Sequence, residues 1–281
     1  MRIRTPLTNY NVVFWNCNGK DSESVFQDCL SEITRENDVK IIALCECKDS
    51  SSTILNSLQK INSSFSCVGE SESMEKIGCI RVFTCLPSKA FSTERKSKRF
   101  LSYSFYSKFD LCFVHLKSIL SITEESKTME DFSVLEDIKK QDKAKLLTTK
   151  KFIIGDFNST PYSNSLVNTR LFNSVRYAEA KRSCHRKEHY AYDININPSW
   201  ELLGQKGAHI YGTIHNSTSE YYNLGTYLFD QVIFNRDLIN NYDVNSLKII
   251  QSTSNHKLVS SQGKISESYS DHLPIFFTIR G

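Results

Sequence analysis

Glycine and proline are scarce, ten and five among 281 residues, against roughly 12% together in average proteins. That scarcity excludes a collagenous, linker-like or low-complexity chain and points to an ordered globular protein. Long apolar runs are also missing. The longest aliphatic stretches, such as Ile41 to Cys45, are a handful of residues, whereas a membrane helix needs ~20, so no contact with a membrane is expected. Met1 to Tyr10 carries two arginines with no apolar stretch behind them, so a secretory signal is not expected and a cytoplasmic location is. Neither sign of charge dominates. The 35 Lys and Arg against 31 Asp and Glu leave +4, a mildly basic balance that falls short of a dedicated nucleic-acid binder and names no partner.

Cysteine is not scarce, but its nine copies are an odd number. Cys17, Cys45, Cys47, Cys79, Cys85 and Cys112 lie inside apolar runs, where a thiol behaves as a small hydrophobe. Reduced, inert thiols in a reducing compartment are expected rather than disulfides. A zinc site from Cys45, Cys47, Cys184 and His185 lacks the paired ligand spacing of structural zinc.

A chain of this length buries roughly 75% of its unfolded surface and needs no staple. Apolar and period-two runs read as strands over Tyr10 to Trp15, Val39 to Cys45, Ile77 to Cys85, Arg99 to Tyr106, Leu111 to Leu116, Lys151 to Ile154, Leu228 to Phe234, Leu247 to Gln251 and Leu273 to Ile279. Helical spacing joins Val25, Phe26, Cys29, Leu30 and Ile33. It recurs at Ile54, Leu55, Leu58 and Ile61, and at Phe132, Leu135 and Ile138 toward Leu146 and Leu147. This order suits two sheets packed together with helices outside better than one doubly wound sheet. Tyr177 to Gly225 has weak periodicity and reads as long loops. No linker composition interrupts the chain, so residues 1–281 are read as one α/β domain.

Acidic, amide and imidazole residues stand at the ends of otherwise apolar strands. Asn16 follows VVFW, Glu46 follows IIALC, His115 follows LCFV, and Asp156 and Asn158 follow FIIG. Asp230 sits in LFDQVIF, and Asp271 with His272 precedes LPIFF. One such residue is ordinarily solvated or a helix cap. A whole set implies convergence, and burying several carboxylates together requires a neutralising cation. Oxygen donors suit a hard ion, and Mg²⁺ in particular leaves positions for water and substrate phosphate. Neighbours in an extended chain face opposite ways, so Ser270, Asp271 and His272 cannot form a serine-hydrolase relay. Asp230 is the best-placed carboxylate to orient His272 as a general base.

Together these segments resemble the endonuclease/exonuclease/phosphatase superfamily, the fold of pancreatic deoxyribonuclease, abasic-site endonucleases, inositol-polyphosphate 5-phosphatases and neutral sphingomyelinases. The pieces are WN at Trp15–Asn16, CE at Cys45–Glu46, VHLKS at Val114–Ser118, GDFNSTP at Gly155–Pro161, FDQVIF at Phe229–Phe234 and SDHLPI at Ser270–Ile275. NPSWELLG at Asn197–Gly204 and GT before FDQVIF look like an uncharacterised bacterial branch. The resemblance implies a four-layer α/β/β/α sandwich of two mixed β-sheets packed face to face. It implies Mg²⁺ or Mn²⁺ held principally by Glu46 and completed by Asn16 and Asp271. It further implies that His272, oriented by Asp230, activates the attacking water, and that Asn158 binds the scissile phosphate. Asp156 would position the nucleophile or assist the leaving oxygen, and His115 would donate to a phosphate oxygen.

Departures from the subfamilies narrow the substrate. The 5-phosphatases resemble one another in a Trp-Cys-Asp-Arg run where this chain has Leu228, Phe229, Asp230 and Gln231, so their arginine is missing. Abasic-site enzymes tend to carry tyrosine where this chain has His115. Two basic, aromatic stretches suit a phosphate backbone: Lys89, Arg95, Lys96, Lys98 and Arg99 with Phe100, Tyr103 and Tyr106, and Lys181, Arg182, Arg186 and Lys187 with His185, His189 and Tyr190. Lys48, two positions beyond Glu46 on an extended segment, would share its side and reach a substrate phosphate. The leading expectation is a DNA endonuclease hydrolysing phosphodiester bonds. The alternative is a phosphoesterase acting on a phospholipid head group or small phosphate ester. A binding module without chemistry is a third. Because a free cytosolic nuclease harms its host, a regulatory partner protein is also expected.

Overall fold

The computed structural model describes residues 8–21, 25–72, 79–118, 123–143, 150–176, 184–187, 190–204, 212–215 and 226–281. Its first strands are β1 (Asn9–Asn16), β2 (Ile41–Cys45), β3 (Ser66–Glu70), β4 (Arg81–Thr84), β5 (Phe91–Lys96), β6 (Phe100–Phe105), β7 (Phe109–His115) and β8 (Lys151–Asp156). There follow β9 (Ser174–Val175), β10 (Cys184–Lys187), β11 (Tyr190–Asp193), β12 (Asn195–Ile196), β13 (Ile214–His215), β14 (Thr226–Tyr227), β15 (Asp230–Asn235), β16 (Lys248–Ile249) and β17 (Ile275–Arg280). The helices are α1 (Phe26–Glu36), α2 (Ser51–Ile61), α3 (Glu124–Lys143) and α4 (Asn164–Val167).

The strands build a six-stranded sheet ordered β16-β17-β1-β2-β4-β3 and a seven-stranded sheet ordered β5-β6-β7-β8-β15-β12-β9. Both are mixed, with β1 parallel to β2 and β7 parallel to β8. Alternate residues of each central strand enter different cores, which is why these strands read as continuous apolar runs. Val12 and Phe14 of β1 face the inter-sheet core with Leu111 and Phe113 of β7. Val13 and Trp15 face α1 and α2 with Phe26, Leu30 and Leu58. On the other side Cys112, Val114 and Ile153 pack under α3 and α4 with Leu135, Ile138 and Leu166. The result is the expected α/β/β/α sandwich.

Several elements differ from their expected form. β3 and β5 have partly exposed, polar faces, so apolar patterning does not mark them. The strand expected from Leu247 to Gln251 shortens to Lys248–Ile249, and the one expected from Ile77 begins at Arg81. α3 starts at Glu124, eight positions before the apolar signal, because the Thr123 hydroxyl accepts the Ser126 amide at 3.2 Å and its carbonyl accepts that of Lys127 at 2.9 Å. Its inward face runs Lys127, Asp131, Leu135, Ile138, while Phe132 is exposed. Leu146 and Leu147 lie outside the described residues. The eight cysteines with described side chains are all free, and most are buried, although Cys85 is only half-buried. No described helix is long and apolar enough to cross a membrane.

Candidate active site

Strand register carries the polar residues to one edge. Across the seven-stranded sheet His115 lies opposite Asp156, and Asp156 opposite Asp230. Gly155 makes that register possible: its φ is +149°, and a Cβ there would stand 2.0 Å from the Val114 carbonyl oxygen. On the other sheet Asn16 ends β1 beside Cys45, and Glu46 then turns out of the strand with φ 53°. The segment before β17 brings in Asp271 and His272, held by the Trp15 indole donating to the His272 carbonyl at 2.9 Å.

Contacts between the two sheets assemble these groups. The Asn16 amide nitrogen donates to Glu46 Oε1 at 3.2 Å and to Asp156 Oδ2 at 3.1 Å. Asn16 Oδ1 accepts the Asn18 amide at 3.0 Å and retains one lone pair. His115 Nε2 is 3.0 Å from Glu46 Oε1 and 3.9 Å from Asp156 Oδ2. Asn158, with φ 48°, donates its backbone N–H to Asp156 Oδ1 at 2.7 Å and its side-chain amide to Asp156 Oδ2 at 3.0 Å. His272 Nδ1 meets Asp230 Oδ2 at 2.8 Å, both side chains being buried. Burial grades across the array: the Asp156 side chain is 1% exposed, whereas Glu46 is 30% exposed and forms the solvent side.

The electrostatics follow this geometry. The His115 hydrogen bond, outweighing burial, holds Glu46 below its ordinary carboxylate value. Burial alone would push the His115 imidazole down, but the Glu46 hydrogen bond and the charges of Asp156 and Glu46 move it up. Burial likewise opposes a charged His272, and the Asp230 carboxylate overcomes it and pushes the imidazole up to about 10. Asp230 is itself pushed up by burial and pulled back by His272. Both tendencies have one outcome, a shared proton carried on the imidazole, since Nδ1 must donate to an ionised carboxylate. Burial also raises Asp271; the His272 charge pulls against this, and the nearby charges of Glu46 and Asp230 add to it, so the net shift is upward.

A cation fits this donor set. Asp271 Oδ1 is buried with no hydrogen-bond partner among the described residues, an orphan acceptor beside other negative charge. Glu46, the spare lone pair of Asn16 and Asp271 form an oxygen-only set suited to a hard divalent ion. Asp156, Asp230 and His272 also hold potential ligand atoms within 4.8 Å of one another. These three are already engaged, however: Asp156 by two asparagines, and His272 by Asp230.

Some expectations change. Lys48 does not continue an extended strand: β2 ends at Cys45, and the left-handed turn at Glu46 removes the shared-face argument. Lys48 is exposed, and its Cε lies 3.5 Å from the Cβ position of Gly19. Within the first basic stretch, Arg95 is buried in an ion pair with Asp110, and Tyr103 donates to Glu94 at 3.0 Å, so neither offers a phosphate contact. The side chains of the second stretch lie outside the described residues. Gln231, in the position of the missing arginine, is fully buried. It donates to the Ser159 and Leu228 carbonyls at 2.6 and 3.0 Å and accepts from Asn197 at 2.7 Å. Sequence reasoning missed three positioning residues. Ser270 donates to the Asn16 carbonyl at 2.7 Å and accepts the His272 amide at 3.1 Å. Thr213 accepts the Asp230 amide at 3.1 Å, and Gln231 docks the Asn197 segment. The position of Ser270 within SDHLPI was the one available signal.

The architecture is that of the endonuclease/exonuclease/phosphatase fold. A family protein of that name from Leptotrichia buccalis C-1013-b superimposes with a TM-score of 0.57 at 16% identity, over 96% of this chain and 99% of that one. The 3′ phosphatase NExo from Neisseria gives 0.56 at 13% identity over 95% and 98%. An AP endonuclease from Archaeoglobus fulgidus gives 0.55 at 13% identity, also over 95% and 98%. No protein-family model matches the sequence, and no curated protein matches it.

Proposed function

We propose that this chain is a divalent-metal-dependent phosphoesterase whose substrate is DNA, cut endonucleolytically. The observation that carries this reading is the His272–Asp230 pair meeting an Asn16–Glu46–His115–Asp156–Asn158 network at one end of the two sheets. His272, with Nδ1 committed to Asp230, presents Nε2 to the site; the surrounding carboxylates keep the ring charged without a metal, and the charge of a bound cation would favour the neutral form that accepts a proton from water. The Asn158 amide divides its two N–H groups between Asp156 and the Leu116 carbonyl, and His115 Nε2 meets Glu46, so each would donate to a substrate phosphate by exchanging one of these partners for it. Asp156, anchored by both asparagines, orients the nucleophile or the leaving oxygen. A Mg²⁺ or Mn²⁺ held by Glu46, Asn16 and Asp271 would neutralise phosphate charge.

Two observations favour nucleic acid. NExo is a 3′ phosphatase captured with a product DNA hairpin, and the Archaeoglobus protein is an AP endonuclease. Shortly beyond Asn158, the exposed Tyr162 ring lies 6.0 Å from that of Trp200, and aromatic surface of this kind suits an unstacked base. The test is an assay of purified protein on supercoiled plasmid, linear and single-stranded DNA, RNA and soluble phosphate esters, with Mg²⁺ or Mn²⁺ and with chelator. Metal-dependent plasmid nicking is expected. Ester turnover with untouched nucleic acid would favour the small-ester alternative, and no turnover of any substrate would overturn the enzymatic reading.

A further inference from the structure

Lysine is almost never fully buried unless paired, and Lys127 of α3 is buried with a side chain only 2% exposed. Its Nζ donates to Asp131 Oδ1 and Oδ2 at 2.5 and 2.6 Å and to the Phe157 carbonyl oxygen at 3.0 Å. Asp131, 1% exposed, also hydrogen-bonds Ser165 of α4. The pair touches none of the groups assigned to the reaction, and stability alone is a weak reason for it, because replacing a buried ion pair with apolar residues is often neutral or stabilising.

Its contact with the Phe157 carbonyl gives it another use. In the trans peptide between Phe157 and Asn158 the C=O and N–H point in opposite directions. The Lys127 ammonium therefore sits at the oxygen end, while the N–H end is received by Asp156 Oδ1 at 2.7 Å. A cation and an anion bracket one peptide dipole in its favourable orientation. That orientation holds Asn158 in its left-handed conformation, from which its side-chain amide also reaches Asp156 and the Leu116 carbonyl, each at 3.0 Å.

We propose that Lys127 and Asp131 are positioning residues for Asp156 and Asn158, acting through the Phe157–Asn158 peptide. The role rests on the reaction proposed above. The test is the double variant Lys127→Met/Asp131→Leu, which removes the pair without stranding a buried charge, compared with Lys127→Met alone. The single variant should melt earlier, and the double variant should regain most of that loss. The double variant should nevertheless show kcat reduced by roughly 10- to 100-fold, as expected for a displaced catalytic group, with KM within about threefold of the parent. Amide hydrogen exchange at Asn158 should accelerate in it, a readout independent of turnover. Full kcat in a folded double variant, or an unchanged Asn158 amide, would overturn the proposal. If the parent protein turns over no phosphate ester, the functional reading fails while the Asn158 amide still decides the positioning claim. Should the leucine variant not fold, Lys127→Met/Asp131→Asn takes its place under the same criteria.

Discussion

Glu46 and His272 sit at opposite ends of the burial gradient, and their environments suit the different work proposed for them. Glu46 is kept ionised by His115 and faces solvent, which suits the proposed cation ligand. His272 is buried against Asp230, which suits the proposed oriented base. Glu46→Gln and His272→Ala should each lower turnover at least ~10²-fold, with circular dichroism and melting unchanged enough to show a folded protein. Asp271 offers a test without catalysis. Its raised carboxyl means that the ionised form is disfavoured in the metal-free fold, so ionisation costs stability once the pH exceeds the ordinary carboxylate value. At neutral pH Asp271→Asn should therefore raise the melting temperature of metal-free protein by roughly 2 °C. Added Mg²⁺ should raise the melting temperature of the parent further by binding the native state, and Asp271→Asn should lose that rise. Differential scanning fluorimetry with and without chelator measures both. These residues were legible because a charge at the end of an apolar strand stands out. Thr213, Gln231 and Lys127 were not, since a buried polar residue has the same letter as a solvated one until its partners are known.

Among the elements, α1 is tied to the loop before β17 by two carboxylates: Glu36 accepts the Ser254 N–H at 2.9 Å, and Glu32 takes the larger share. Glu32 accepts the Asn255 backbone N–H at 3.1 Å and hydrogen bonds from the Thr253 hydroxyl and the Asn255 side chain, with His256 Nε2 3.7 Å away. The Thr253 bond, together with those of Asn255, holds its pKa below the ordinary value. A depressed carboxylate stabilises the fold above its unfolded pKa, and that contribution disappears as the pH falls through the lower folded value. The melting temperature should accordingly drop more steeply between about pH 5 and 3 in the parent than in Glu32→Gln. Parallel slopes would refute the tie. Helix α1 itself was legible from its spacing, as was α2. Helix α3 was only half legible: its N-terminal half buries Lys127 and Asp131 on the core side, which a search for apolar periodicity reads as solvent-facing. β5 was invisible for a different reason: it is a largely exposed, polar edge strand held by main-chain pairing with β6.

The whole molecule places its site between two sheets that must keep their alignment. Asn16, Glu46, Asp271 and His272 come from the six-stranded side, and His115, Asp156, Asn158 and Asp230 from the seven-stranded side. The Asn16–Asp156 and Asp230–His272 bonds cross between them. Beneath, an aromatic row fills the inter-sheet core, with Phe152 at 5.4 Å from Phe109 and 5.2 Å from Phe234, and Phe234 at 4.8 Å from Tyr242. Phe152→Ala should cost about 3–5 kcal/mol of unfolding free energy, the usual scale for a buried ring, measurable by urea denaturation. It should also lower kcat in the fraction that remains folded, because relaxation of this core shifts one half of the site against the other.

The amino-acid sequence by itself determined which strands are buried on both faces and which polar residues end them, because side-chain hydrophobicity is a local property that repeats along the chain. It also pointed to Asp230 as the partner of His272, since an Asp271 turned toward a metal leaves that ring to a carboxylate from elsewhere and Asp230 interrupts an apolar strand. Only the tertiary structure decided that Lys48 does not share an extended face with Glu46 and that Gln231 is an internal brace. The same holds for Arg95, a buried ion-pair partner, and for Lys127 behind the Phe157–Asn158 peptide. Those roles depend on register, on a left-handed turn at Glu46 and on partners many residues away, and long-range packing sets all three.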